Sequence, residues 1–252
     1  MQEILGALAE QQDELAGLLA GLDEADWSRP SACAGWSVAD VVLHLAQTNE
    51  MAIGSARGDL PGALVRLTEG VPPSDGDIDD GAALMVAHQR GGPASEVHER
   101  WARSCSDLRA ALLSRQPGDR LVWVAGELAA RTLGTTRLAE TWIHTGDVAA
   151  GLGTELEPAD RLWHIARLAW RTIPYAFERA GLAPPGAVAF ELTAPSGARW
   201  TFGTDAAATT TIRGTGVDLC RVASRRTPAE GTSLTWDGPD GATVLSLVRT
   251  WA

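Results

Sequence analysis

The sequence predicts an α plus α/β protein, with a helical bundle over residues 1–183 followed by a small α/β domain over residues 187–252. Three observations predict it. The first 186 residues hold 9 threonines and the last 66 hold 12, and β-branched side chains favour strands over helices. Before Pro184-Pro185 the apolar residues recur at spacings of three and four, the period of a helix with one buried face; after it they alternate in short runs. The composition, 45% hydrophobic and 21% charged over 252 residues, is globular and sets the length at one or two domains.

Ile4, Leu8, Leu15, Leu19 and Leu22 mark the first helix. A second begins at Ser37, where Ser37 and Asp40 form a capping box, and carries Val41, His44, Leu45 and Thr48 on one face. Val97, Trp101, Leu108 and Leu112 mark a third, Arg131–Ala150 a fourth, and Leu162, Ala166, Ala169, Ile173 and Phe177 a fifth. Long antiparallel helices in this number make a bundle. Beyond Pro185, strands are expected at 187–193, 198–203, 207–213 and 232–236, with helices at 215–224 and 240–251. The acidic segment 72–81 reads as a solvated connection. Counted from Asp75 as a calcium loop, it has Asp80 where the sixth-position glycine belongs and Val86 at the twelfth position in place of glutamate.

Several function classes are excluded. A net charge of −11 argues against nucleic acid, because phosphate binding needs clustered cations. No apolar stretch approaches the roughly 18 residues of a membrane span. The N-terminal run has Glu3, Glu10, Asp13 and Glu14 where a signal peptide would be basic and then apolar, so a cytoplasmic protein is expected. Three cysteines without C-x-x-C spacing suggest neither a disulfide framework nor a zinc knuckle. Cys33, in the loop before the second helix, has no sequence neighbour to activate it and is assigned to packing or chance. There is no P-loop, G-x-S-x-G or H-E-x-x-H motif.

The chemistry concentrates on two helices. His44 falls within an apolar stripe, and the stripe of the fourth helix contains Glu140, His144 and Asp147. Glu140 and His144 lie one helical turn apart on the same face. An ionised carboxylate at a core position needs a cation or several donors to compensate it. A divalent metal gripped by two imidazoles and a carboxylate is one solution, and a hydrogen-bonded core cluster is the other. His88 and His98 stand beside charged residues and read as surface groups, and His164 has no carboxylate on its helix face.

Three runs, AGWSVADVVLHLAQTNE at 34–50, RLAETWIHTGDVAAGLG at 137–153 and TGVDLCRVASRR at 215–226, resemble the mycothiol-dependent maleylpyruvate isomerase family, and more narrowly its actinobacterial metal-binding branch. The resemblance covers nearly the whole chain. It implies a DinB-like up-and-down metal-binding bundle followed by a small sterol-carrier-like α/β domain. It also implies that His44, Glu140 and His144 hold zinc or another divalent metal, with mycothiol as the thiol cofactor. The use of arginine for all 21 basic residues suits an actinobacterial source.

On that basis the expected function is a metal- and thiol-dependent isomerase or S-transferase. The metal would hold mycothiol as thiolate for addition to a small electrophilic substrate. Asp147 is either an acceptor for a ligand imidazole N–H or a last-turn surface residue. Arg221 and Arg225, expected one turn apart on the first helix of the C-terminal domain, would clamp a carboxylate of substrate or thiol cofactor, or else form a solvated basic face. Trp36 and Trp142 pack the bundle or line a pocket. The rival readings are a metal-dependent hydrolase, which needs a general base, and a non-catalytic protein binding a metal or small ligand. The expected partners are small molecules only, for a monomer or homodimer.

Overall fold

The computed structural model describes residues 1–72, 78–124, 126–204 and 208–250, and these divide into two compact units, Met1–Leu156 and Glu157–Ala252. In the first unit, α1 (Gln2–Leu19), the short α2 (Glu24–Trp27), α3 (Val38–Arg57), α4 (Leu60–Leu67), α5 (Ile78–Gln89) and α6 (Ala94–Leu113) precede a hairpin of β1 (Arg120–Trp123) and β2 (Gly126–Ala129), and α7 (Ala130–Leu152) follows it. The long helices α1, α3, α6 and α7 pack on one another. Leu8, Leu15, Leu45, Leu108, Leu112, Leu133 and Leu138 are fully buried between them. Each such side chain contributes about 1.5–3 kcal/mol of burial free energy.

The capping box at the start of α3 forms as expected: Asp40 N–H donates to Ser37 Oγ, and Ser37 N–H donates to Asp40 Oδ2 at 2.9 Å. From Val38 to Ala56 nearly every residue is buried, because α4, α5, α6, α7 and β1 surround this helix. Its buried polar groups therefore bond outward to those neighbours. Gln47 Nε2 donates to Met85 O at 3.1 Å, Asn49 Nδ2 to Ser104 Oγ at 3.0 Å and Ser55 Oγ to Val122 O at 2.6 Å. The helix α7 is likewise buried on most sides, so four of its threonines, Thr135, Thr136, Thr141 and Thr145, return their hydroxyls to helical carbonyls.

Residues 30–37 form a tight loop tied to α7. Ala32 N–H donates to Asp147 O, Ser31 N–H and Oγ–H both donate to Trp36 O, and Trp36 N–H donates to Cys33 O. Gly151 permits this approach, since a Cβ there would lie 2.5 Å from Pro30 O. A side chain at 151 would push the loop off the helix.

The second unit holds α8 (Leu162–Arg179), β3 (Val188–Thr193), β4 (Arg199–Phe202), β5 (Thr210–Thr215), α9 (Gly216–Ala223), β6 (Thr235–Asp237) and α10 (Gly241–Leu247). The sheet order is β4-β3-β5-β6, with β3 and β5 parallel and the other pairs antiparallel. Val188, Phe190, Leu192, Trp200, Phe202 and Ile212 are buried, while Glu191, Arg199, Arg213 and Asp237 join in ion pairs, Arg199–Glu191 at 3.3 Å and Arg213–Glu191 at 3.0 Å. That alternation is the period of a half-buried sheet.

The α plus α/β class holds, with three differences in detail. The helix expected to close the bundle, α8, packs on α9, α10 and β4, and Trp170 Nε1 donates to Val188 O at 2.8 Å, so it belongs to the second unit and the division falls at Leu156 rather than near Pro184. The expected acidic connection 72–81 turns helical at Ile78, residues 73–77 lying outside those described. The hairpin β1–β2 and the helices α4 and α5 were not expected. Residue 207 of the third expected strand and residues 251–252 lie outside the described range. No described helix is long and apolar enough to cross a membrane.

Candidate metal centre

The side chains of His44, Glu140 and His144 meet inside the first unit, brought together by α3 and α7. All three are buried. Glu140 Oε2 lies 3.6 Å from His44 Nε2 and 3.7 Å from His144 Nε2, and the two imidazoles stand edge to face with centroids 4.9 Å apart. One ligand atom from each residue lies within 4.8 Å of the others. Donors sharing a tetrahedral zinc at about 2.0–2.2 Å sit on the order of 3.3 Å apart, so small side-chain adjustments suffice.

Two buried atoms of this group, His44 Nδ1 and Glu140 Oε1, have no hydrogen-bond partner among the described residues. Buried polar groups are nearly always satisfied, and the unpartnered Glu140 oxygen beside the two Nε2 atoms fits a group that accepts lone pairs, whereas His44 Nδ1 lies on the ring edge opposite Nε2 and does not face that group. Burial pushes the His44 imidazolium below its ordinary value, against the opposing pull of Glu140, and so favours the neutral form a metal needs. Burial acts to raise the Glu140 carboxyl, but His44, Arg137 and His144 beside it outweigh this and hold it below the usual carboxylate range.

Asp147 is buried and takes a place behind His144. Its Oδ2 lies 2.9 Å from His144 Nδ1, which leaves Nε2 directed at Glu140. Of the two sequence readings of Asp147, the surface one is excluded. Cys33 corrects the sequence reading. Its Sγ donates to the same Asp147 Oδ2 at 3.0 Å and stands 3.6 Å from His144 Nδ1. The partner that sequence neighbours did not offer comes from α7, across the close contact at Gly151. Trp36, from the same loop, sets its ring 5.1 Å from His44 and 6.5 Å from His144, so it covers the pair.

Arg137 escaped sequence reasoning, although its place three residues before Glu140 was the available signal. Its guanidinium is buried, with Nη2 3.7 Å from Glu140 Oε2 and its Cζ 5.6 Å from the Trp123 ring centroid. His88 is exposed, as expected; His98 is instead half-buried beside Trp27 and Trp101. The arginine pair of the second unit is not assembled as expected. The helix α9 ends at Ala223, and Arg225 follows with φ of 61°. Its Nη1 and Nη2 donate to Ser246 O at 2.7 Å and Leu247 O at 3.2 Å, capping the end of α10. Arg221 remains an exposed side chain on α9.

Residues 8–149 match the sequence profile of the mycothiol maleylpyruvate isomerase N-terminal domain. The chain belongs to that family. Two uncharacterised proteins from two strains of Mycobacterium tuberculosis are 32% identical to this family member over 246 residues, which is 97% of this chain and 93% of theirs. Crystal structures of a mycothiol-dependent maleylpyruvate isomerase and of a histidine-to-alanine mutant superpose with TM-scores of 0.62 and 0.61. They cover 93% of this chain and 92% of each of those chains at 17% identity, a likeness of fold.

The Asp147 contact makes a separate expectation for the metal-loaded protein. Groups that orient a ligand imidazole typically change metal affinity by about 10–100-fold when removed. Asp147→Ala is expected to weaken zinc binding by about that factor, measured by competition with a chromophoric chelator. Cys33→Ser, which keeps a donor to Oδ2, is expected to stay near the parent.

Proposed function

We propose that this family member is a metal-dependent enzyme, with zinc or another divalent ion, that uses mycothiol in an isomerisation or S-transfer on a small electrophile, maleylpyruvate or a relative of it. One observation carries the proposal: two imidazoles and one carboxylate with an unpartnered oxygen converge in a buried site, and three protein ligands are what a catalytic centre has when it keeps a position for a reactant. The family's name supplies the thiol.

In this reading His44 Nε2, Glu140 and His144 Nε2 hold the ion. When bound, it would lower the pKa of an arriving thiol, which free in water is about 8.5 for a cysteine, enough to present it as thiolate at neutral pH. Asp147 keeps the proton of His144 on Nδ1, so that Nε2 keeps its lone pair toward the centre. Trp36 shields the imidazoles from water. Arg225 spends its donors on the end of α10, which counts against its half of the expected carboxylate clamp. The cytoplasm, where low-molecular-weight thiols are kept reduced, is the compartment this chemistry requires.

A hydrolase would need a general base near the centre. Asp147 Oδ2 already takes donors from His144 and Cys33, which counts against that role. The deciding experiment supplies zinc-loaded protein with mycothiol, glutathione or no thiol, against maleylpyruvate and a panel of electrophilic alkenes and epoxides. Turnover that requires mycothiol is expected. Turnover indifferent to thiol would overturn the proposal in favour of hydrolysis.

A further inference from the structure

The buried guanidinium of Arg137 has no part in the chemistry described so far, and its surroundings are unusual. The residue is 3% exposed. Among the described residues its Nε and Nη1 have no hydrogen-bond partner, its Cζ lies over the face of Trp123, and Nη2 approaches Glu140 Oε2 at 3.7 Å, too long for a hydrogen bond. An arginine cannot shed its proton to escape such a position. A buried charge with poor compensation is costly.

The charges around the centre indicate what this one does. Glu140 and Asp147 are carboxylates and Arg137 is a cation, so the three leave one net negative charge. A divalent ion would turn this into one net positive charge. A single anionic ligand then brings the buried cluster to neutrality. Without Arg137 the loaded cluster would already be neutral, and an anion entering it would have to be buried uncompensated.

We infer that Arg137 is a specificity-determining residue that makes the loaded centre select an anionic ligand, a thiolate in the function proposed above, over a neutral one. The hairpin β1–β2 serves this role by laying Trp123 on the guanidinium, holding it by cation–π attraction away from water. The inference rests on the metal-centre reading and adds to it a charge that no ligand residue supplies.

The test compares cobalt(II)-loaded parent, Arg137→Gln, Arg137→Met and Arg137→Lys, titrated with azide, with a small thiol and with imidazole as the neutral ligand, and followed by the cobalt absorption bands. In the neutral variants azide and thiol affinity are expected to fall roughly tenfold or more, as loss of a nearby charge in a low-dielectric site requires, with imidazole affinity within about twofold of the parent. The Met variant keeps an apolar stem against Trp123 should the Gln variant fail to fold, and Arg137→Lys is expected to recover anion affinity. Anion and imidazole affinities that fall together, or anion affinity that does not move, would overturn the inference and leave the metal centre intact. A parent protein that takes up no cobalt would overturn both.

Discussion

His44→Ala and His144→Ala are each expected to bind zinc more than about 100-fold more weakly than the parent, because removing a ligand must cost more than removing the groups behind one. His98→Ala and His164→Ala are expected to bind it unchanged. The contrast follows from geometry. His44 and His144 both aim Nε2 at the same Glu140 oxygen from the two central helices, whereas His98 lies between Trp27 and Trp101 and His164 stands beside Trp163 in the other unit. Equilibrium dialysis with elemental analysis on protein stripped with chelator and reloaded reads the affinity directly, and circular dichroism confirms that each variant folds. Equal retention in all four variants would show that the three convergent side chains are a hydrogen-bonded core cluster.

The parts of this site that were legible in the sequence are the parts set by local rules. The capping box at Ser37 and Asp40 fixes where α3 starts, and counting from it places His44 inward. On α7 the one-turn separation of Glu140 and His144 is a property of the helix alone. That the two helices face each other is less local, but two core positions holding groups too polar for a core leave few other arrangements. Asp147 stood in the same stripe, and the structure decides between its two readings because the first turn of α7 beyond His144 is covered by the 30–37 loop.

What was not legible depends on contacts between distant residues. Cys33 reaches Asp147 across 114 positions through a loop whose approach needs Gly151 opposite Pro30, and no spacing rule records that. The helix α8 shows the limit of an amphipathic stripe: Ala166, Ala169 and Ile173 are buried as expected, yet the same stripe would serve against a bundle or a sheet, and it packs with the sheet unit. The arginine clamp failed for a different reason. Spacing of one turn means proximity only while the helix continues, and α9 stops before Arg225 adopts a left-handed backbone.

The second large effect concerns stability of the metal-free protein. Glu140→Ala removes the one ionic partner of Arg137 among the described residues and leaves a buried guanidinium facing an aromatic ring. Breaking a buried pair on one side costs about 3–5 kcal/mol, since the remaining charge loses its compensation. Glu140→Ala measured by urea denaturation in the presence of chelator is expected to show a loss of that order. Adding Arg137→Met removes the stranded charge and fills its space with an apolar stem, so the double variant is expected to be more stable than Glu140→Ala alone. The resulting coupling energy, about 1 kcal/mol or more for groups in contact, separates an electrostatic loss from a cavity left by the shortened side chain. A cavity would make the two substitutions add. Additive losses would mean that Arg137 is sustained by Trp123 and its packing, and that Glu140 is held in the core by the two imidazoles alone.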